Sequence, residues 1–139
     1  MKCELCESAG GTPIWSDQRL RVVRVEEPGY AGYCRVIWNA HVREMTDLAE
    51  AERAHCMRVV LAVETALRER LHPEKVNLGS LGNMTPHLHW HVIARFRDDP
   101  HFPNAVWGAP LRAPVPVEKP PAEFFESLAA TLSRITRKS

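Results

Sequence analysis

The chain has 139 residues, with 18 lysines and arginines against 17 acids, so its formal net charge is only +1 with the histidines neutral. That length predicts one domain, 1–139, long enough to bury a real core. The near-balanced charge supplies no global basic field for a nucleic-acid polymer. No apolar run approaches a membrane span and residues 1–30 hold no signal-peptide core, so the expectation is a cytoplasmic protein with no membrane partner.

Residues 1–17 carry Cys3-Glu4-Leu5-Cys6 and Gly10-Gly11 and read as an irregular arm. Leu20 to Val25 is a plausible strand with one wet face, and Glu27-Pro28-Gly29 makes a turn. Tyr33 to Trp38, rich in β-branched and aromatic residues, pairs with it as an antiparallel neighbour. Cys34 and Cys56 read as small hydrophobes in a reducing compartment. A long helix follows, with Thr46 as N-cap and Asp47 and Glu50 in the acid-favouring first turn. Leu48, His55, Val59, Ala62, Ala66 and Leu71 recur at near-helical spacing, and His72-Pro73 ends the run. Lys75–Leu81 and His87–Phe96 are two further strands, joined by Gly82-Asn83-Met84-Thr85-Pro86. Residues 98–139 form a Pro-rich stretch with Trp107-Gly108, then a helix from Ala122 to about Arg137. Phe124/Phe125, Leu128, Leu132 and Ile135 share a side of that helix. This order predicts an α+β fold with a mostly antiparallel sheet of about five strands.

Cys3 and Cys6 have the spacing with which two thiolates grip one tetrahedral metal. The bland alternative is a pair of free thiols on a frayed terminus. His41 and His87 are the candidates to complete a Cys2His2 set, which would leave no open position and make a zinc ion structural. It would pin the arm to the sheet.

His87, His89 and His91 alternate. In a strand, side chains at i, i+2 and i+4 share a face roughly 7 Å apart, so the three imidazoles should line one surface. Leu88, Trp90 and Val92 should point into the core. Histidine's neutral form is a nucleophile and a metal ligand, which points to chemistry on that face. The bland alternative is a histidine-rich amphipathic strand with no role. His55 reads as packed or surface, His72 as a helix-end residue and His101 as solvated.

Pro86-His87-Leu88-His89-Trp90-His91-Val92-Ile93 resembles the His-φ-His-φ-His-φ-φ signature of the histidine triad (HIT) superfamily, φ being apolar. The order of Cys3/Cys6, Val36-Ile37-Trp38-Asn39-Ala40-His41-Val42, helix and triad is similar too. The chain looks most like small bacterial HIT hydrolases of the dinucleoside polyphosphate hydrolase kind. The resemblance implies nucleotidyl transfer at an α-phosphate through a covalent intermediate, with His89 as nucleophile and His91 steadying charge on the phosphate. By analogy with zinc-bearing relatives, including the distantly similar galactose-1-phosphate uridylyltransferases, His87 joins Cys3, Cys6 and His41 as a zinc ligand. Asn77 and Asn83 fall where the family contacts nucleotide or phosphate, and Thr85 is a candidate substitute one position beyond the family's Ser/Thr hydroxyl. Family expectation adds adenine preference, a homodimer and no organic cofactor. Met84 departs from a Ser/Thr position and Tyr33 from a family histidine, and no clear ribose-binding Asp is present, although Glu26 or Glu27 is nearby. Two alternatives are a metal-dependent hydrolase that uses triad histidines as ligands and a non-enzymatic nucleotide-binding module.

Overall fold

The computed structural model describes residues 2–137. In chain order the elements are α1 (Glu4–Glu7), β1 (Thr12–Ser16), β2 (Leu20–Arg24), β3 (Tyr33–Trp38), α2 (Glu50–Leu71), β4 (Lys75–Gly79), β5 (His89–Arg95) and α3 (Ala122–Thr136). The strands form one five-stranded sheet in the order β1-β2-β3-β5-β4. Every neighbouring pair is antiparallel. The expected α+β architecture, with one long helix and a C-terminal helix, is therefore present.

Residues directly opposite on paired strands point to the same side, so the register sorts the sheet into two faces. One face carries Leu20, Val22, Cys34, Val36, Trp38 and Val92. It packs on Val59, Val60, Val63 and Leu67 of α2 and on Leu128 and Leu132 of α3. Leu88 and Trp90 join that core, as their alternation predicts. The second face carries Val23, Tyr33, Arg35, Ile37, His89, His91, Ile93, Asn77 and Arg95. Among the described residues neither α2 nor α3 covers it. The N-terminal arm lays Leu5 against Val23 and Ile37, while the 98–112 segment closes the other end through Asp99 and Trp107.

Several boundaries differ from the sequence reading. The arm is not irregular throughout, because residues 12–16 form an edge strand whose register slips between Pro13 and Trp15. Proline is tolerated at such an edge, where no neighbour asks for its missing N–H. The long helix starts at Glu50 behind Ala49, not at Thr46. Asp47 instead accepts the amides of Arg43 and Glu44 at 3.2 and 3.0 Å. Leu48 is extended (φ −88°, ψ 149°), which breaks the turn. The buried stripe of α2 runs through His55, Cys56, Val59, Val60, Val63 and Leu67 rather than Ala62 and Ala66. Strand β4 stops at Gly79, and β5 begins at His89.

Candidate active site and metal centre

Strand β5 presents His89 and His91 on the open face, with ring centroids 4.9 Å apart. Their cross-strand partners on β3 are Ile37 and Arg35. The Nδ1–H of His89 donates to the carbonyl of His87 at 2.6 Å. A ring that donates from Nδ1 carries its lone pair on Nε2, so backbone geometry alone sets this tautomer. Burial lowers the His89 pKa, and the charge of Arg35 adds to that, although the bond to His87 pulls the other way. Burial pushes His91 down to about 4, assisted by His89 and Arg35. His91 lies edge-on between two aromatic rings, Tyr33 at 6.0 Å and Trp107 at 4.9 Å. The Tyr33 hydroxyl is 3.4 Å from its Nδ1.

His87 departs from the expected row of three. It precedes the strand, its amide donates to the Thr85 carbonyl at 2.8 Å, and its ring turns toward the N-terminal arm. Its Nδ1 lies 3.3 Å from Cys3 Sγ, 3.5 Å from Cys6 Sγ and 3.2 Å from His41 Nδ1. Cys6 Sγ is 3.4 Å from His41 Nδ1. The four donor atoms all fall within 4.8 Å of one another. A tetrahedral zinc with Zn–S about 2.3 Å and Zn–N about 2.0 Å requires S···N edges near 3.5 Å and N···N edges near 3.3 Å. The residues present fit that polyhedron. The ring orientation fits as well, because His87 Nε2–H donates to the Trp38 carbonyl at 2.6 Å and so keeps the Nδ1 lone pair for a metal.

The sequence-derived phosphate ligands divide. Asn77 lies on the triad face opposite Ile93, and its Oδ1 accepts from Arg95 Nη1 at 2.8 Å. Asn83 is exposed and Thr85 half-buried in the turn that feeds His87, and Met84 beside them is 95% exposed. Glu26 is ion-paired with Arg24 and Lys119, beside the Tyr30–Tyr33 cavity. His101 is not simply solvated: its Nδ1 is 2.6 Å from the Tyr30 hydroxyl. His55 is buried and its Nε2 meets Asp17 at 2.7 Å. Cys34 and Cys56 are buried thiols pushed up to about 12 and about 11 by desolvation.

Sequence reasoning missed Arg35 and gave no role to Trp107. A charged residue on the inward side of the otherwise apolar β3 was a visible signal for Arg35. The position of Trp107 depends on a distant clamp. Arg95 donates to Asp99 through Nε at 2.8 Å and Nη2 at 3.0 Å, and Nη2 also reaches the Asn104 carbonyl.

A five-stranded antiparallel sheet whose inner strand β5 carries alternating histidines beside a Cys2His2 cluster defines a histidine-triad fold. The chain belongs to the HIT domain family, whose model matches residues 10–98. It is similar to the crystal structure of a histidine triad protein from Bradyrhizobium japonicum, at 27% identity and a TM-score of 0.71, covering 96% of this chain and 95% of that one. A histidine triad protein from Sinorhizobium meliloti 1021 gives the same coverage and identity with a TM-score of 0.70. A Zn-bound histidine triad family protein from Mycobacterium smegmatis shares the fold at 21% identity and a TM-score of 0.63, covering 100% of this chain and 99% of that one. No curated protein matches the chain.

Proposed function

We propose that this protein is a nucleotide hydrolase or nucleotidyl transferase acting at the α-phosphate of a nucleoside phosphoramidate or dinucleoside polyphosphate, with His89 as nucleophile. The observation that carries this reading is the 2.6 Å bond from His89 Nδ1 to its neighbour's carbonyl, which leaves Nε2 as the attacking atom on the open face. The Nε2 lone pair forms a bond to phosphorus while the phosphorus–leaving-group bond breaks, and the leaving group takes the electron pair and a proton from solvent, which is returned when the attacking water of the second step loses one. The ring becomes cationic on attack, so its Nδ1–H to the His87 carbonyl becomes a charge-assisted bond. Water then attacks phosphorus, the nitrogen–phosphorus bond breaks, and nucleoside monophosphate departs. His91, neutral at physiological pH, takes a phosphate oxygen through Nε2–H when the Tyr33 hydroxyl donates to its Nδ1. Asn77, with its oxygen fixed by Arg95, would offer its amide N–H to the nucleotide, and Asn83 and Thr85 would do the same from the turn.

Cys3, Cys6, His41 and His87 would hold a structural zinc, which supplies folding energy rather than chemistry because the set closes its own coordination sphere. Only His87 of the triad joins that cluster, which removes support from a metal-dependent hydrolase built on two or three of them. Adenine preference, a homodimer and a cytoplasmic location are family-level parts of the proposal. No helix among the described residues is long and apolar enough to cross a membrane.

The test compares wild type with His89→Asn on a dinucleoside tetraphosphate and on a nucleoside phosphoramidate, following monophosphate release. Removal of a covalent nucleophile should cost about 10³-fold or more in kcat. Equal rates in the two proteins would defeat the assignment.

A further inference from the structure

Three arginines point into the triad face, and two of them are fully used. Arg21 donates to the Leu5, Ser8 and Ala9 carbonyls and to Asn39. Arg95 is buried and neutralised by Asp99, with Asn77 and the Asn104 carbonyl taking its remaining donors. Arg35 is different. It lies directly across the strand pair from His91, one pair along from His89. Its Nη1 donates to the Gly10 carbonyl at 2.8 Å. Gly10 is held there with φ +82°, and a Cβ would come within 2.7 Å of Ile37 Cδ1. No carboxylate lies within ion-pair range of Arg35 among the described residues. Its Nε is sealed from solvent without a hydrogen-bond partner.

A desolvated N–H with no acceptor is costly, and the half-buried guanidinium has no carboxylate to share its charge. Strand β3 would be more stable with an apolar residue there. Across the strand pair Arg35 faces His91, with His89 further along the same face, and the Tyr33 hydroxyl lies beside it; none of these brings a carboxylate, so the counter-ion is an anion brought by a ligand. Guanidinium forks match phosphate oxygens in both geometry and charge.

We propose that Arg35 is an anion-binding, specificity-determining residue of this site: its guanidinium donates to a non-bridging oxygen of the substrate phosphate, which serves as its counter-ion, so that phosphate-bearing ligands are selected over their uncharged nucleosides. The proposal rests on the nucleotide reading above. It differs from that reading in what it requires, since Arg35 acts in binding whether or not His89 forms a bond to phosphorus.

The test measures binding of AMP, inorganic phosphate and adenosine by calorimetry to wild type, Arg35→Met and Arg35→Lys, together with melting temperatures. The Met variant should bind AMP about 10- to 100-fold more weakly, the scale of one charge-assisted bond, and adenosine within twofold of wild type. The Lys variant keeps the charge without the fork and should fall between the two. Without ligand, the Met variant should melt no lower than wild type, and phosphate should raise the melting temperature of wild type only. Undiminished AMP affinity in Arg35→Met, or equal losses for AMP and adenosine, would overturn the proposal. His89→Asn, which retains Arg35, should keep the preference for AMP over adenosine while monophosphate release falls about 10³-fold or more. Turnover by that variant at the wild-type rate would defeat the nucleophile and leave the Arg35 result standing.

Discussion

Substituting Asp99 by Asn should destabilise the protein by a margin that shrinks in acid. The Asp99 carboxylate is 2% exposed. It accepts two bonds from Arg95 and one each from the amides of Phe96, His101 and Phe102. Burial is the largest single influence and opposes ionisation, but Arg95 and the three amides together outweigh it and hold the pKa near about 2 rather than 3.8. A shift of that size corresponds to about 2.5 kcal/mol of stability in the ionised form. The Asn variant also leaves Arg95 buried without its charge partner, so the loss at neutral pH should reach about 3 kcal/mol, the lower end for breaking a buried pair. For a chain of this length that is a fall in melting temperature of about 10 °C. The sign follows from the lowered pKa. The contribution is complete above the unfolded value near 3.9 and drains away as pH falls toward about 2. At pH 3 about half of it should remain. Urea denaturation of both proteins between pH 7 and 2.5, followed by tryptophan fluorescence, measures the gap. A gap below about 1 kcal/mol at neutral pH, or one that stays constant into acid, would refute the charge argument.

Nuclear magnetic resonance of His91 should show a ring that stays neutral to below pH 5, since burial places its pKa at about 4; an inflection above pH 6 would contradict that environment. Because this pKa is lowered, the neutral ring stabilises the fold above the unfolded value near 6.5, and that stability is lost as pH falls through about 4. Cys6→Ser should lose bound zinc, measured by elemental analysis against about one ion per wild-type chain, and should melt well below wild type; full zinc retention would remove Cys6 from the centre. Trp107→Ala should leave the melting temperature nearly unchanged, because the ring is 47% exposed. It should lower kcat/KM by up to about tenfold through loss of the edge contact that holds His91; an unaltered kcat/KM would show that this contact does not orient the ring.

The parts of the fold that were legible are those decided by local pattern. Strand β5 alternates cleanly, and Leu88, Trp90 and Val92 bury on the helix side as their spacing predicts. Strand β1 was not legible. Its five residues include Pro13, and their extended form comes from pairing with β2, a contact that no window of residues 12–16 contains. The segment after Phe96 shows no periodicity at all. Its course is imposed by Asp99, which gathers Arg95 and three amides from within its own turn. Trp107 reaches His91 only once that clamp is formed. His101 was misjudged for the same reason, its Tyr30 partner being far away in the chain.

At the site, the strand pattern brought His89 and His91 onto one face but did not describe the placement of His87. Strand alternation implies three equivalent rings, yet the strand begins only after the first of them. His87 uses Nδ1 toward the two cysteines and His41, Nε2 toward the Trp38 carbonyl, and its own carbonyl toward His89 Nδ1. Both ring nitrogens and the carbonyl are therefore committed, and each commitment fixes something else. The first orients the ring within the Cys/His cluster, the second sets its tautomer, and the third sets the tautomer of His89. Regular pairing at His87 would have spent its backbone on a ladder partner and left its ring on the open face beside His89. The same irregularity thus turns the His87 ring toward the cysteine arm and frees the carbonyl that fixes which nitrogen of His89 faces solvent. One break in the strand joins the metal centre to the candidate nucleophile.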